Sequence, residues 1–115
     1  MAFAAAALAL LVAAGVVAGC VTRSPAEREA LLQARSQALI DSGNVAYRNH
    51  DYGLAARRYA AATLVKKDDP AAWFGFGMAL TRLGRDEEAR AAYARARDLA
   101  SAARQHHAGA QPTQR

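Results

Sequence analysis

The chain has 115 residues, room for one small domain, and its 15 basic and 10 acidic residues give a formal charge of +5 at neutral pH. One cysteine excludes an intramolecular disulfide, a paired-cysteine metal site and a dithiol redox centre. The 53% of hydrophobic residues overstates the core, because residues 1–19 hold no charge and much of the remainder is alanine.

Residues 1–19, MAFAAAALALLVAAGVVAG, are the first element. The run is short for a membrane span, which needs about 20 apolar residues, and suits the apolar region of a secretory signal peptide. The basic residue that opens such segments is missing. Cleavage and retention as an uncleaved inner-membrane anchor both stay open on these residues, and either places the chain outside the cytosol. Val17-Ala18-Gly19-Cys20 resembles the bacterial lipobox. That resemblance implies removal of residues 1–19, a diacylglycerol on the Cys20 sulfur and an acylated new amino terminus. A thiol suits this chemistry because its thiolate is a good nucleophile. Two or more acyl chains hold a protein stably at a bilayer. Val21, rather than Asp, follows Cys20, as in lipoproteins of the outer membrane that face the periplasm; that location is the expectation.

Residues 20–35 are expected to hold the lipidated cysteine, a short linker and the start of a long helix. Ser24-Pro25-Ala26-Glu27 predicts that start: Ser as N-cap, Pro at the first helical position, Glu three residues after the cap. The helix should end near Asn49, with a turn at Asn49-His50-Asp51 in which His50 takes a left-handed conformation. A second helix is expected from Tyr52 to about Lys66, with Ala55, Tyr59 and Ala62 on one face. Asp69-Pro70 repeats the cap-plus-proline signal and opens a third helix, which Gly84 stops. Asp86 is expected to cap the fourth, which should fray after Ala103 and leave residues 104–115 as a polar flexible tail.

A fixed interval runs through these elements. Leu39 recurs as Trp73, Gly43 as Gly77, Ala55 as Ala89, Tyr59 as Tyr93 and Ala62 as Ala96, each 34 residues on. The small residues let helices approach closely, and the rings fill the space beside them. These positions resemble the tetratricopeptide repeat, which has Trp or Leu at its fourth place, a small residue at its eighth, Ala at its twentieth, an aromatic at its twenty-fourth and Ala at its twenty-seventh. The resemblance implies an all-α fold of two helical hairpins, residues 36–69 and 70–103, after an extended amino-terminal helix. It departs from the family at Lys67 and Ser101, where a proline is usual, and at Ala46, where an aromatic is usual. About three such repeats are normally needed for stability. With two, the last helix is expected to lack a cap and to invite a partner or self-association.

No catalytic arrangement is legible, so no enzyme, metal or cofactor is expected. His50 lies in a turn and His106-His107 in the tail; Asp68-Asp69 and Glu87-Glu88 fall at helix starts, where the dipole favours negative charge. Arg57, Arg58, Arg90, Arg95, Arg97 and Arg104 all fall on the second helices of the hairpins. A solvated outer face and attraction to an anionic partner or lipid are both open readings, whereas export argues against nucleic acid. The family resemblance implies a protein or peptide bound along the first helices, at Gln37, Ile40, Asn44, Tyr47 and Arg48, then Ala71, Phe74, Met78, Thr81 and Arg82. Ile40, Phe74 and Met78 are apolar where a solvated face would be polar. Small tetratricopeptide lipoproteins that serve pilus or secretion assembly are similar to this design. An adaptor for a peptidoglycan hydrolase and an inner-membrane-anchored subunit are the alternatives.

Overall fold

The computed structural model describes residues 22–110, and everything said of the structure concerns those residues. The leader and Cys20 lie outside them, as do residues 111–115. Four helices alternate in direction: α1 (Pro25–Arg48), α2 (Tyr52–Val65), α3 (Pro70–Arg82) and α4 (Asp86–Gly109). None of them is long and apolar enough to cross a membrane.

Local chemistry sets the helix ends. Ser24 and Glu27 form a reciprocal capping box, with Ser24 N donating to Glu27 Oε2 at 2.9 Å and Glu27 N to Ser24 Oγ at 3.2 Å. After α1, His50 does take a left-handed φ of 60°, which lets Asp51 N reach back to Ala46 O at 2.9 Å. Asp51 then caps α2 by accepting from Leu54 N at 3.1 Å. Asp69 accepts from Ala71 N at 2.9 Å and Pro70 follows it as the first residue of α3.

Two boundaries differ from the sequence reading. Gly84 turns the chain at φ 73° and Arg85 N returns to Leu80 O at 2.9 Å, so the reversal consumes both residues. The N-cap of α4 is therefore Arg85, and Asp86 is already helical, favouring the helix through its charge rather than through a cap bond. Arg85 instead pairs with Glu88 through two bonds of 2.6 and 2.8 Å. The second difference is the length of α4, which continues through Arg104 to Gly109 where a flexible tail was expected from residue 104. Ala, Arg and Gln are good helix formers, and extending an existing helix costs far less than starting one. His106 and His107 sit in its last turn, where a cation would favour the dipole.

The core is built from small residues around one large ring. Tyr59 is 1% exposed and lies among Ile40, Ala46, Ala55, Ala56, Ala62, Ala72 and Ala79, which join both hairpins. Gly43 of α1 and Gly75 of α3 both abut this ring: a Cβ on either would stand 2.8 or 2.4 Å from Tyr59 Cε1. Leu39 and Phe76 complete the cluster from half-buried positions. A second cluster of Leu80, Ala89 and Ala92 packs with Trp73, Phe76 and Tyr93, while Ala96 is buried further along α4. Trp73 Nε1 donates to Lys67 O at 3.0 Å, tying α3 to the turn between hairpins. At the same end, Lys66 bridges Glu29 of α1 at 2.5 Å and Asp68 at 3.0 Å. Those two carboxylates hold the Lys66 ammonium above its ordinary pKa, and Lys66 holds Asp68 below the usual carboxylate value.

Ser36 is fully buried in α1, and its Oγ has no hydrogen-bond partner among the described residues. Removing an unsatisfied buried hydroxyl recovers part of its desolvation cost of about 1–3 kcal/mol, and alanine also favours the helix. Ser36→Ala should therefore raise the melting temperature, by about 4–8 °C per kcal/mol in a domain of this size. A thermal melt followed by circular dichroism tests this, and a lower midpoint would show that the hydroxyl is satisfied in solution.

Candidate interaction surface

α1 and α3 open their respective hairpins, and they touch each other while α2 lies against both. Along α3, Phe74 and Met78 stand one turn apart on one face, and Arg82 follows a turn later. Phe74 is 52% exposed, with its ring 5.5 Å from that of Tyr93 on α4. Met78 is half-buried beside it. Arg82 is held in place: its Nε donates to Tyr47 Oη at 3.0 Å, and its guanidinium lies 5.7 and 5.3 Å from the ring centres of Tyr47 and Tyr52. Tyr47 and Tyr52 meet edge to face at 5.2 Å, and His50 Nδ1 shares a 2.8 Å hydrogen bond with Tyr52 Oη. The helix-1 end, the first turn and the helix-3 end are thus joined into one aromatic and cationic cluster.

The other expected contact residues fall differently. Ile40 is 6% exposed and belongs to the core around Tyr59, so it offers no surface; its place on α1 turns toward α2, where the equivalent Phe74 is left open. Asn44 is half-buried and accepts a 2.6 Å hydrogen bond from Tyr59 Oη. Burial pushes the Tyr59 phenol above its ordinary pKa. Arg48 is exposed at the end of α1 and takes part in none of the ion pairs found among the described residues. Gln37 is turned along its own helix, donating to Asp41 at 2.9 Å. Ala71 is exposed at the start of α3, and Thr81 Oγ1 donates back to Gly77 O at 2.9 Å.

The structure therefore joins Arg82 to Tyr47, sets Phe74 and Met78 on the same face of α3 as Arg82, turns Asn44 to Tyr59 and withdraws Ile40. Two participants escaped the sequence reading. Tyr52 supplies a face to Arg82, and Tyr93 supports Phe74 as well as packing the second hairpin. Both lie at or near helix ends or on second helices, where periodicity alone gives no sign of a shared surface. Elsewhere, a shallow cleft of about 320 Å³ between α2 and α3 is lined by Ala56, Ala60, Phe76 and Leu83 together with Gly53, Arg57 and Arg85.

Residues 40–104 match the family model described as tetratricopeptide repeat. No curated protein and no solved structure matches the chain. Repeats of this kind are in general non-catalytic modules that bind other proteins, a role to which exposed apolar and aromatic groups are suited. The match spans more than half of the sequence, and four antiparallel helices with a 34-residue repeat of packing residues agree with it: the chain belongs to the tetratricopeptide-repeat family.

Proposed function

We propose that the protein is a membrane-tethered adaptor of the bacterial envelope that captures a protein partner along α1 and α3. The observation that carries the capture surface is Phe74, 52% exposed beside Met78, whereas every other Phe, Tyr and Trp among the described residues is buried wholly or in part. An open aromatic beside a second apolar group suits contact, and Arg82, held by Tyr47 one turn beyond Met78, adds a positioned polar group that can fix a partner's register. The tether is Cys20: processing after Gly19 and acylation of the new terminus would place α1 four residues from the bilayer, since Ser24 already caps that helix. Pilus or secretion assembly at the outer membrane, facing the periplasm, is the setting we assign.

Phe74→Ala combined with Met78→Ala should weaken partner capture at least tenfold, a loss of about 1.4 kcal/mol or more, while the helical circular dichroism stays unchanged. Photo-crosslinkers placed at positions 74 and 78 in cells would identify the captured protein. Capture that survives the double substitution would move the site off α3. The tether has its own check: the mature protein should carry acyl mass on residue 20, and an unmodified Cys20 would remove the lipid anchor without touching the capture surface.

A further inference from the structure

The seam between the hairpins shows how this chain seats one repeat on another, and so it can be used to ask whether a second copy could be seated in the same way. At that seam α3 lies on α2, and its fully buried side chains are small except Tyr59, with Phe76 at the half-buried edge. Ala72 and Ala79 of α3 are fully buried, Ala56 and Thr63 of α2 are each 6% exposed, and Gly75 lies flat against the Tyr59 ring. A copy continuing the superhelix would place its α1 on the first copy's α4, with every partner displaced by 34 positions. Tyr59 is then replaced by Tyr93, Ala60 by Ala94 and Ala72 by Ala38, all of which preserve the joint.

Four buried positions do not. Gly75 becomes Asp41 of the incoming copy, Ala79 becomes Val45, Ala56 becomes Arg90 and Thr63 becomes Arg97. At the existing seam a Cβ at position 75 would stand 2.4 Å from Tyr59 Cε1 and 2.5 Å from Cδ1, an approach real side chains do not make. Asp41 would bring a Cβ and a carboxylate into the same space against Tyr93. Arg90 and Arg97, both exposed in α4, would have to enter positions at which the first hairpin buries a methyl group and a threonine. Arg90 has a 2.5 Å bond to Glu87 on its own helix to give up, and one Asp41 carboxylate cannot neutralise two guanidinium groups.

We propose that Asp41, Arg90 and Arg97 form a stacking stop, which closes both ends of the superhelix to further copies of this chain. A contact between unlike ends does not close on itself and builds filaments, so a repeat protein with matching open ends polymerises unless something prevents it. The stop replaces the expectation that the last helix invites self-association. It leaves the row on α1 and α3 free for a partner of another kind.

The test transfers the first seam to each end separately in the full chain. Asp41→Gly with Val45→Ala opens the α1 end, and Arg90→Ala with Arg97→Thr opens the α4 end in a second variant. Sedimentation velocity of each variant alone should match the natural chain over about a hundredfold range of concentration, whereas their mixture should form a one-to-one complex with a dissociation constant at least tenfold lower than any self-association of the natural chain. The leader or its lipid is common to every sample, so the difference reports the joint alone. A chain carrying all four substitutions should add copies in a concentration-dependent series. Restoring Arg97 in that chain should shorten the series. A mixture that forms no complex, or a natural chain that stacks as strongly as the variants through these same faces, overturns the stop.

Discussion

Tyr59→Ala is expected to leave the chain largely unfolded at room temperature. The ring is the largest fully buried side chain among the described residues, and it touches both hairpins through Gly43 and Gly75. Removing a buried aromatic costs about 3–5 kcal/mol through lost transfer energy and the cavity left behind. A folded unit of this size commands only about 0.05–0.15 kcal/mol per residue, so the loss approaches the whole stability. Most of the surrounding side chains are alanines and glycines, with Ile40, Leu39 and Phe76 among the larger ones, so little can fill the hole. Tyr59→Phe should behave quite differently. It keeps the ring and loses only the 2.6 Å bond to a half-buried Asn44, a change of about 1 kcal/mol. Tyr93→Ala is the informative comparison, because the equivalent ring in the second hairpin is half-buried and its hydroxyl reaches only Thr81 Oγ1, at 3.5 Å. Asn44 is replaced there by Met78, so the second tyrosine has no amide to hold it. Urea titrations of the three variants should rank them Tyr59→Ala, Tyr93→Ala, Tyr59→Phe in order of damage. Equal damage from the two alanine variants would mean that the repeats share the load evenly and that Tyr59 holds no special position.

That asymmetry marks where the sequence stopped being legible. The 34-residue interval gives the hairpins because packing in a repeat is set by neighbours one repeat away, and so each contact is written twice. Capping is legible for a similar reason where a proline follows the cap: Ser24 and Asp69 act on amides within three residues, whereas the cap at Asp51 carries no such signal. Contacts made only once leave no such trace. Gly75 is matched to Asp41, not to another small residue, and among the described residues no earlier helix packs on α1 as α2 packs on α3. Its role appears only when Tyr59 is seen between two backbones. Ile40 and Phe74 occupy matching places in the two repeats yet end buried and exposed, because α1 faces the packed interior of the hairpin pair at that level and α3 does not. Arg82 meets Tyr52 across 30 residues through a turn geometry fixed by His50, which no helical period encodes. The end of α4 was misplaced for a different reason. Polar composition after Ala103 suggested a tail, but helix propensity and the preceding turns carry the helix on to Gly109.

The same single-copy contact yields a prediction about sign. Glycine inside a helix ordinarily costs about 1 kcal/mol relative to alanine, so Gly→Ala at a roomy helical position stabilises. At Gly77 the added methyl would meet Tyr93 at 2.9 Å, but that ring is half-buried and can swing outward by the few tenths of an ångström required. Gly77→Ala should therefore change stability by less than about 1 kcal/mol, whereas the much larger Gly77→Leu should force the second hairpin apart and cost about 1–3 kcal/mol. At Gly75 the same methyl would stand 2.4 Å from the fully buried Tyr59 ring, which Gly43 also approaches with a clearance nearly as small. The ring has no direction in which to yield, and relief must come from separating α3 from α2. Overpacking of this kind costs about 1–3 kcal/mol and sometimes more, enough to overwhelm the gain in helix propensity. Gly75→Ala should lower the melting temperature clearly while Gly77→Ala leaves it nearly unchanged, though the two substitutions are two residues apart on one helix and chemically identical. Gly43→Ala, at 2.8 Å from the same ring, should fall between them. A melt in which Gly75→Ala proves neutral would show that the hairpins part easily at their seam, and the ring of Tyr59 would then not be the fixed point from which the rest of the packing follows.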